Sequence, residues 1–191
     1  MPEDNITVTM SEKILEKLLQ ARTIILSGEI DQALADKICT QLILLQCAGD
    51  DPIKLFINSQ GGHVESGDTI HDMIQFIKPR VVIIGTGWVA SAGITIFLAA
   101  NKEDRLSLPN TRYMIHQPMG GAQGQASDIK IEAEQIIKTR SRINKLISDA
   151  TGQPLEKVDQ DTLRNYWLDV NQAIEYGIVS RVISRFDEVG A

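Results

Sequence analysis

The sequence is short of several things, and each shortage limits what the chain can do. Only two of its 191 residues are cysteine. Cys39 and Cys47 lie on one apolar helical pattern, too far apart to bridge, so no disulfide is expected and both read as buried, reduced thiols. Lys and Arg total 19 against 25 Asp and Glu, a formal charge of −6 with no basic cluster, which argues against nucleic acid as the main partner. No long hydrophobic run exists: the longest, Ile94 to Ala100, falls far below the ~20 residues of a membrane span. The opening MPEDNITVTMSEK carries acidic residues and no apolar stretch, so neither a signal nor a transit peptide is read there, and a cytoplasmic protein is expected. A Walker A lysine motif is missing too, so any ATP hydrolysis the protein needs must come from another chain. Without internal repeats or low-complexity tracts, no linker is assigned, and 1–191 reads as one domain.

What is present is an alternation of short β-branched runs and amphipathic segments, the α/β signature. Thr23 to Leu26, Ile53 to Ile57 and Val81 to Gly85 read as buried strands. Between them, Ile38, Leu42 and Leu45 form one helical stripe, and Ile70, Met73, Ile74 and Ile77 another. Leu106 to Leu108 and Tyr113 to Ile115 are further strand candidates. The polar, glycine-rich stretch from Gly120 leads into a long helix over about 127–150, with Ser127 as the expected N-cap and Ile129, Ile136, Ile143 and Ile147 near one face. A last helix is expected from Asp169, capped with Gln172, to Gly177.

Three groups could carry chemistry. Ser91 follows a strand and precedes an apolar helix, and its small neighbours Ala90, Ala92 and Gly93 leave its hydroxyl room to project; a serine there is also an ordinary cap. His116 ends the strand Tyr113-Met-Ile, where an imidazole could take the serine proton or simply be satisfied by backbone. Asn58-Ser-Gln-Gly61-Gly62 follows a buried strand, where glycines can turn backbone N–H groups toward an oxyanion or merely make a tight turn. His63, Glu65, His71 and Asp72 could be imagined as metal ligands, but their spacing repeats nowhere and they read as surface groups.

Taken together, the segments Ile57 to Gly62, Met73 to Pro79, Ala90-Ser-Ala-Gly93, Leu108 to Asn110, Met114-Ile-His-Gln-Pro118, Gly120 to Ile129, Thr151 to Leu155 and Glu175-Tyr-Gly177 resemble the proteolytic subunit of the Clp protease, from about Leu18 onward. The 1–17 segment matches poorly. The resemblance implies an α/β fold of the crotonase type, a spiral of ββα units with a protruding handle helix over about 120–150. It also implies seven-membered rings stacked face to face around a closed chamber, fed with unfolded polypeptide by an AAA+ Clp unfoldase that uses the ATP. No cofactor or metal is implied for this chain. By the same resemblance Ser91 is the nucleophile and His116 the base. The N–H groups of Gly62 and Ala92 form the oxyanion hole, and Gly61, Gly124 and Gln125 meet extended peptide.

One position departs from the pattern. Where the family carries an aspartate, this chain reads Arg164-Asn165-Tyr166, so the third residue of the triad is Asn165. An amide can hold the imidazole but cannot offset an imidazolium charge; Asp161 and Asp169 are the nearby carboxylates that could stand in. Gln60 and Ala92 replace the family's usual proline and methionine. Two other readings stay open: a weakly active or structural ring subunit paired with a more active paralogous ring, and an acyl-CoA enzyme sharing the fold.

Overall fold

The computed structural model describes residues 10–190, and the expectations for residues 1–9 lie outside it. In chain order the elements are α1 (Met10–Gln20), β1 (Thr23–Ile30), α2 (Gln32–Cys47), β2 (Ile53–Gly62), α3 (Val64–Phe76), β3 (Val81–Ala90) and α4 (Ala92–Phe97). They are followed by β4 (Arg105–Ser107), β5 (Arg112–Ile115), α5 (Ala126–Thr151), α6 (Leu155–Asp161), β6 (Tyr166–Leu168), α7 (Val170–Tyr176) and β7 (Arg181–Val182). The order β1-β2-β3-β4-β7 forms a parallel path, each early strand returning through a helix as parallel pairing requires. β5 pairs with β3 in parallel, and β6 adds to β5 antiparallel.

The expected stripes face the sheet. Ile38, Leu42 and Leu45 of α2 and Ile70 and Ile74 of α3 pack with Ile24, Leu26, Leu55, Ile57 and Ile83 of the first three strands in one continuous core. The opposite face carries a smaller cluster of Val82, Ile84, Leu106, Ile183 and Val189. Of the first three strands only β3, over Val81 to Gly85, is buried on both faces; β1 and β2 leave alternate side chains such as Ile25 at least partly exposed, which narrows the expectation of buried strands. The two cysteines also part company, Cys39 being buried and Cys47 exposed at the end of α2.

β3 does not stop at Gly85. Ile83 to Gly85 pair with β4, while Trp88 to Ala90 pair with β5, so the strand changes partners midway. Gly87 permits the bend: its φ is +62°, and a Cβ there would lie 2.6 Å from Asn58 Oδ1. The bend delivers Ala90 and Ser91 to the end of β5, where Ser91 N–H donates to the Met114 carbonyl at 2.9 Å.

At 26 residues, α5 is about 39 Å long. Its buried side chains are confined to its C-terminal half (Ile143, Asn144, Ile147 and Thr151), while Ile129 is 43% exposed, so the N-terminal half projects as a handle. Its N-cap is Gln125 rather than the expected Ser127, which is already the second residue of the helix. Buried Arg105 clamps the other end, donating to the carbonyls of Ala100 (2.8 Å) and Ala150 (2.7 Å), and burial lowers its pKa against the opposing pull of Glu103. The final helix starts as expected, with the reciprocal Asp169–Gln172 capping box, and stops at left-handed Gly177.

Candidate active site

Ser91 is placed by strain. It joins β3 to α4 with φ 55° and ψ −123°, a region costing a non-glycine residue about 1–3 kcal/mol. Although it is the N-cap residue, its side chain makes no capping bond. The hydroxyl projects instead, lying 2.8 Å from His116 Nε2. His116 stands just past the end of β5, and its Nδ1 is 3.1 Å from Asn165 Oδ1. Asn165 immediately precedes β6, whose antiparallel register with β5 (Ile115 opposite Tyr166) carries it to the imidazole. Three distant segments thus converge in a relay of Ser91, His116 and Asn165.

Neither carboxylate considered as a stand-in for the missing acid serves. Asp161 accepts from Tyr176 Oη at 2.9 Å and pairs with Lys157 at 2.5 Å, and Asp169 is committed to the cap of α7. Burial and the adjacent Asp161 carboxylate together push the Tyr176 pKa far up, so this neighbour is a neutral hydrogen-bond donor.

The end of β2 crosses directly over the serine turn. Gly61 has φ +98°, and a Cβ on it would fall 2.5 Å from Ser91 Cβ and 2.8 Å from the Ala90 carbonyl, so only glycine fits. Its own N–H is used by Ser59 Oγ at 3.0 Å. Gly62, next along and exposed, lines the cleft beside Ser91, and Ala92 is the first residue of α4, whose first N–H groups have no partner within the helix. Together with Glu29, Met114, Pro118 and Met119, the Gly62 and Ser91 segments border an open cleft of about 420 Å³. Beside it, an apolar recess of about 20 Å³, room for one water, is lined by Val64, Ala92, Ile115, Ile143 and Ile147.

The other expected residues are not brought there. Gly124 and Gln125 sit at the start of α5, the Gln125 carbonyl receiving the N–H groups of Asp128 and Ile129 at 3.0 Å, and the cleft is bordered on that side by Pro118 and Met119 instead. The segment between β5 and α5 that carries these two residues forms no strand. His63 pairs with Glu65 at 3.2 Å and His71 with Asp72 at 3.0 Å; His71 is buried, against expectation, and among the described residues no three His, Cys, Asp or Glu side chains group as metal ligands would.

Two features next to the relay were not read from the sequence. Gln117 donates its N–H to the Thr162 carbonyl (2.6 Å) and its side-chain amide to the Leu163 carbonyl (2.9 Å), stapling the segment that holds His116 to the one that holds Asn165. Its position directly after the histidine was the available signal. Trp88 of β3 and Trp167 of β6 stack across β5 at 6.3 Å and 8°, with the Arg112 guanidinium 4.3 Å from the Trp167 ring centre.

Known proteins are similar to this chain in sequence and fold. The family model described as Clp protease matches residues 7–186. ATP-dependent Clp protease proteolytic subunit 3 of Rhizobium meliloti (strain 1021) is 56% identical over 172 residues, 90% of this chain and 88% of that protein. Subunit 2 of Pseudomonas aeruginosa is 47% identical over 171 residues, covering 90% and 85%. Among solved structures, ClpP1 from Listeria monocytogenes matches with TM-score 0.83 at 57% identity, and its N165D mutant with TM-score 0.87 at 58%, each covering 92% of this chain and 99% of the other. A relay of serine, histidine and asparagine at a strand-to-helix turn, on a parallel sheet with a projecting helix, is thus found in a chain that belongs to the Clp protease family.

Proposed function

We propose that the chain is a serine endopeptidase that cleaves peptide bonds of unfolded polypeptides through an acyl-enzyme, using Ser91, His116 and Asn165. The observation that carries this reading is the 2.8 Å approach of Ser91 Oγ to His116 Nε2 with the serine freed from capping. His116 takes the serine proton as Oγ attacks the substrate carbonyl, then returns it to the leaving amine. The N–H groups of Gly62 and Ala92 receive the oxyanion, where preorganised donors contribute most. The open cleft of about 420 Å³ that Gly62, Ser91 and His116 border accepts the substrate chain, the water-sized apolar recess beside it being too small for a side chain.

Asn165 sets the rate. With Oδ1 toward Nδ1 it accepts that N–H and leaves Nε2 free to act as base. Its amide nitrogen has no hydrogen-bond partner among the described residues, so rotating the amide exchanges donor for acceptor and stabilises the opposite tautomer, with Nε2 already protonated. Basal turnover is therefore low. The chain works as a subunit of stacked seven-membered rings, with an AAA+ Clp unfoldase supplying ATP-driven unfolding and no cofactor in this chain.

The neutral third residue also favours a second reading, a ring subunit that mainly pairs with and activates a more active paralogous ring. A fluorophosphonate probe separates the two, applied to the assembled wild type alone, to the Ser91→Ala control, and to rings mixed with a paralogue. Labelling confined to Ser91, with hydrolysis of a fluorogenic peptide, is expected; silence of Ser91 in every assembly would leave only the structural role.

A further inference from the structure

Asn144 is fully buried in the C-terminal half of α5, where it has polar partners in α6 and at its end. Its Nδ2 donates to Asp159 Oδ1 at 2.6 Å. A carboxylate only accepts, so this bond fixes the amide orientation and turns Oδ1 toward Thr162. The Thr162 hydroxyl, itself fully buried, shares its one proton between Asn144 Oδ1 (3.2 Å) and the Val158 carbonyl (2.8 Å). The Thr162 carbonyl then receives Gln117 N–H, and the next carbonyl, Leu163, receives the Gln117 side chain. From the handle helix to the residue beside His116 there are only two hydrogen-bonded steps, and Asn165 lies three residues beyond Thr162.

The neutral third residue makes this scaffold matter more. A hydrogen bond to a charged group is roughly twice as strong as a neutral one. With Asn165 the imidazole is not drawn into line by charge, so alignment rests on the framework behind it. Resting on the peptidase reading above, we infer that Asn144 is a positioning residue: it locks the handle helix to the Thr162 to Asn165 segment and so sets the alignment of Asn165 with His116. A helix shift that strained its bonds would misalign the relay without moving Ser91, which is held separately by Met114.

The test compares the rate of Ser91 phosphonylation by a fluorophosphonate, in which Oγ displaces fluoride from phosphorus, in the assembled wild type, Asn144→Ala, Gln117→Ala, Asn165→Asp and the Asn144→Ala, Asn165→Asp double variant. Asn144→Ala is expected to slow this labelling about tenfold, the equivalent of one lost hydrogen bond, with the half-saturating probe concentration unchanged. Gln117→Ala should slow it a few-fold. In the Asn165→Asp background the Asn144→Ala loss should shrink to about twofold, because a carboxylate draws the imidazole into line by itself. Hydrogen exchange of the Gln117 amide, which needs no activity, should quicken in Asn144→Ala. Equal losses in both backgrounds would make Asn144 merely structural and overturn the inference, as would unchanged Gln117 exchange. Should Asn144→Ala fail to assemble, an unchanged rate in Gln117→Ala would overturn it. A wild-type Ser91 that never reacts defeats the peptidase reading instead, and the exchange measurement then still decides the role of Asn144.

Discussion

Restoring a carboxylate at position 165 should accelerate acylation of Ser91. In Asn165→Asp, an acceptor-only group faces His116 Nδ1 across the present 3.1 Å contact, removing the rotated amide state and placing a negative charge beside the imidazolium formed during attack. Two unit charges about 4 Å apart attract by about 1 kcal/mol in bulk water and about 4 kcal/mol at an effective dielectric of 20. Asn165 is exposed and His116 half-buried, so a value near the middle applies. About 2 kcal/mol off the barrier is about a 30-fold faster reaction. That is well below the roughly 10⁴-fold effect of the Asp-to-Asn change in a buried serine-protease triad. The fold should tolerate the change, since the Listeria monocytogenes ClpP1 N165D structure aligns with this chain at TM-score 0.87. The assay is the pseudo-first-order rate of fluorophosphonate labelling in the assembled particle, at low ionic strength and again at high. The advantage should narrow as the Debye length falls from about 10 Å at 0.1 M to about 3 Å at 1 M. An intact Asn165→Asp assembly that labels no faster than wild type would refute the electrostatic account of residue 165.

Gly61→Ala would drive a methyl against Ser91 Cβ and the Ala90 carbonyl, and displacing the serine turn should cut Ser91 labelling by at least ~10²-fold, with circular dichroism confirming a retained fold. Arg80 donates to Oδ1 of Asp104, which is 1% exposed and whose Oδ2 has no hydrogen-bond partner among the described residues. Arg80→Met strands that carboxylate and should cost about 2–3 kcal/mol in urea unfolding, less than the roughly 3–5 kcal/mol of a fully buried pair because Arg80 is 54% exposed. Burial raises the pKa of Tyr113, and burial with Asp161 raises that of Tyr176. Above the reference value of about 10 the unfolded chain loses these protons while the folded chain keeps them, so stability should fall as pH rises, and the two phenolates should show in the ultraviolet spectrum only with unfolding.

The α/β character was legible because Ile38, Leu42 and Leu45, and Ile70 and Ile74, repeat at helical spacing beside short β-branched runs, and burial follows that spacing. Ser91 and His116 were legible only through whole motifs, since a serine at a helix start and a histidine at a strand end are commonplace alone. Their 2.8 Å contact depends on β3 exchanging β4 for β5, a long-range pairing that no local pattern reports. Glycines at 85 and 87 looked like the end of a strand, although they let it bend and continue. The three-residue strand β6 and the short α6 escaped because neither is long enough to show a period. The long helix is capped at Gln125, two residues before the serine that propensity favours, because the backbone there is already turned to receive the first N–H groups.

Trp88 and Trp167 are the only indoles in the chain, and their rings stack across β5, which separates the strand leading to Ser91 from the strand that follows Asn165. The protein's native fluorescence therefore originates at a single spot beside its chemistry. Any slippage between those two strands, on assembly, on docking of another protein or on entry of a peptide, should alter the emission of unlabelled material without a mutation or dye.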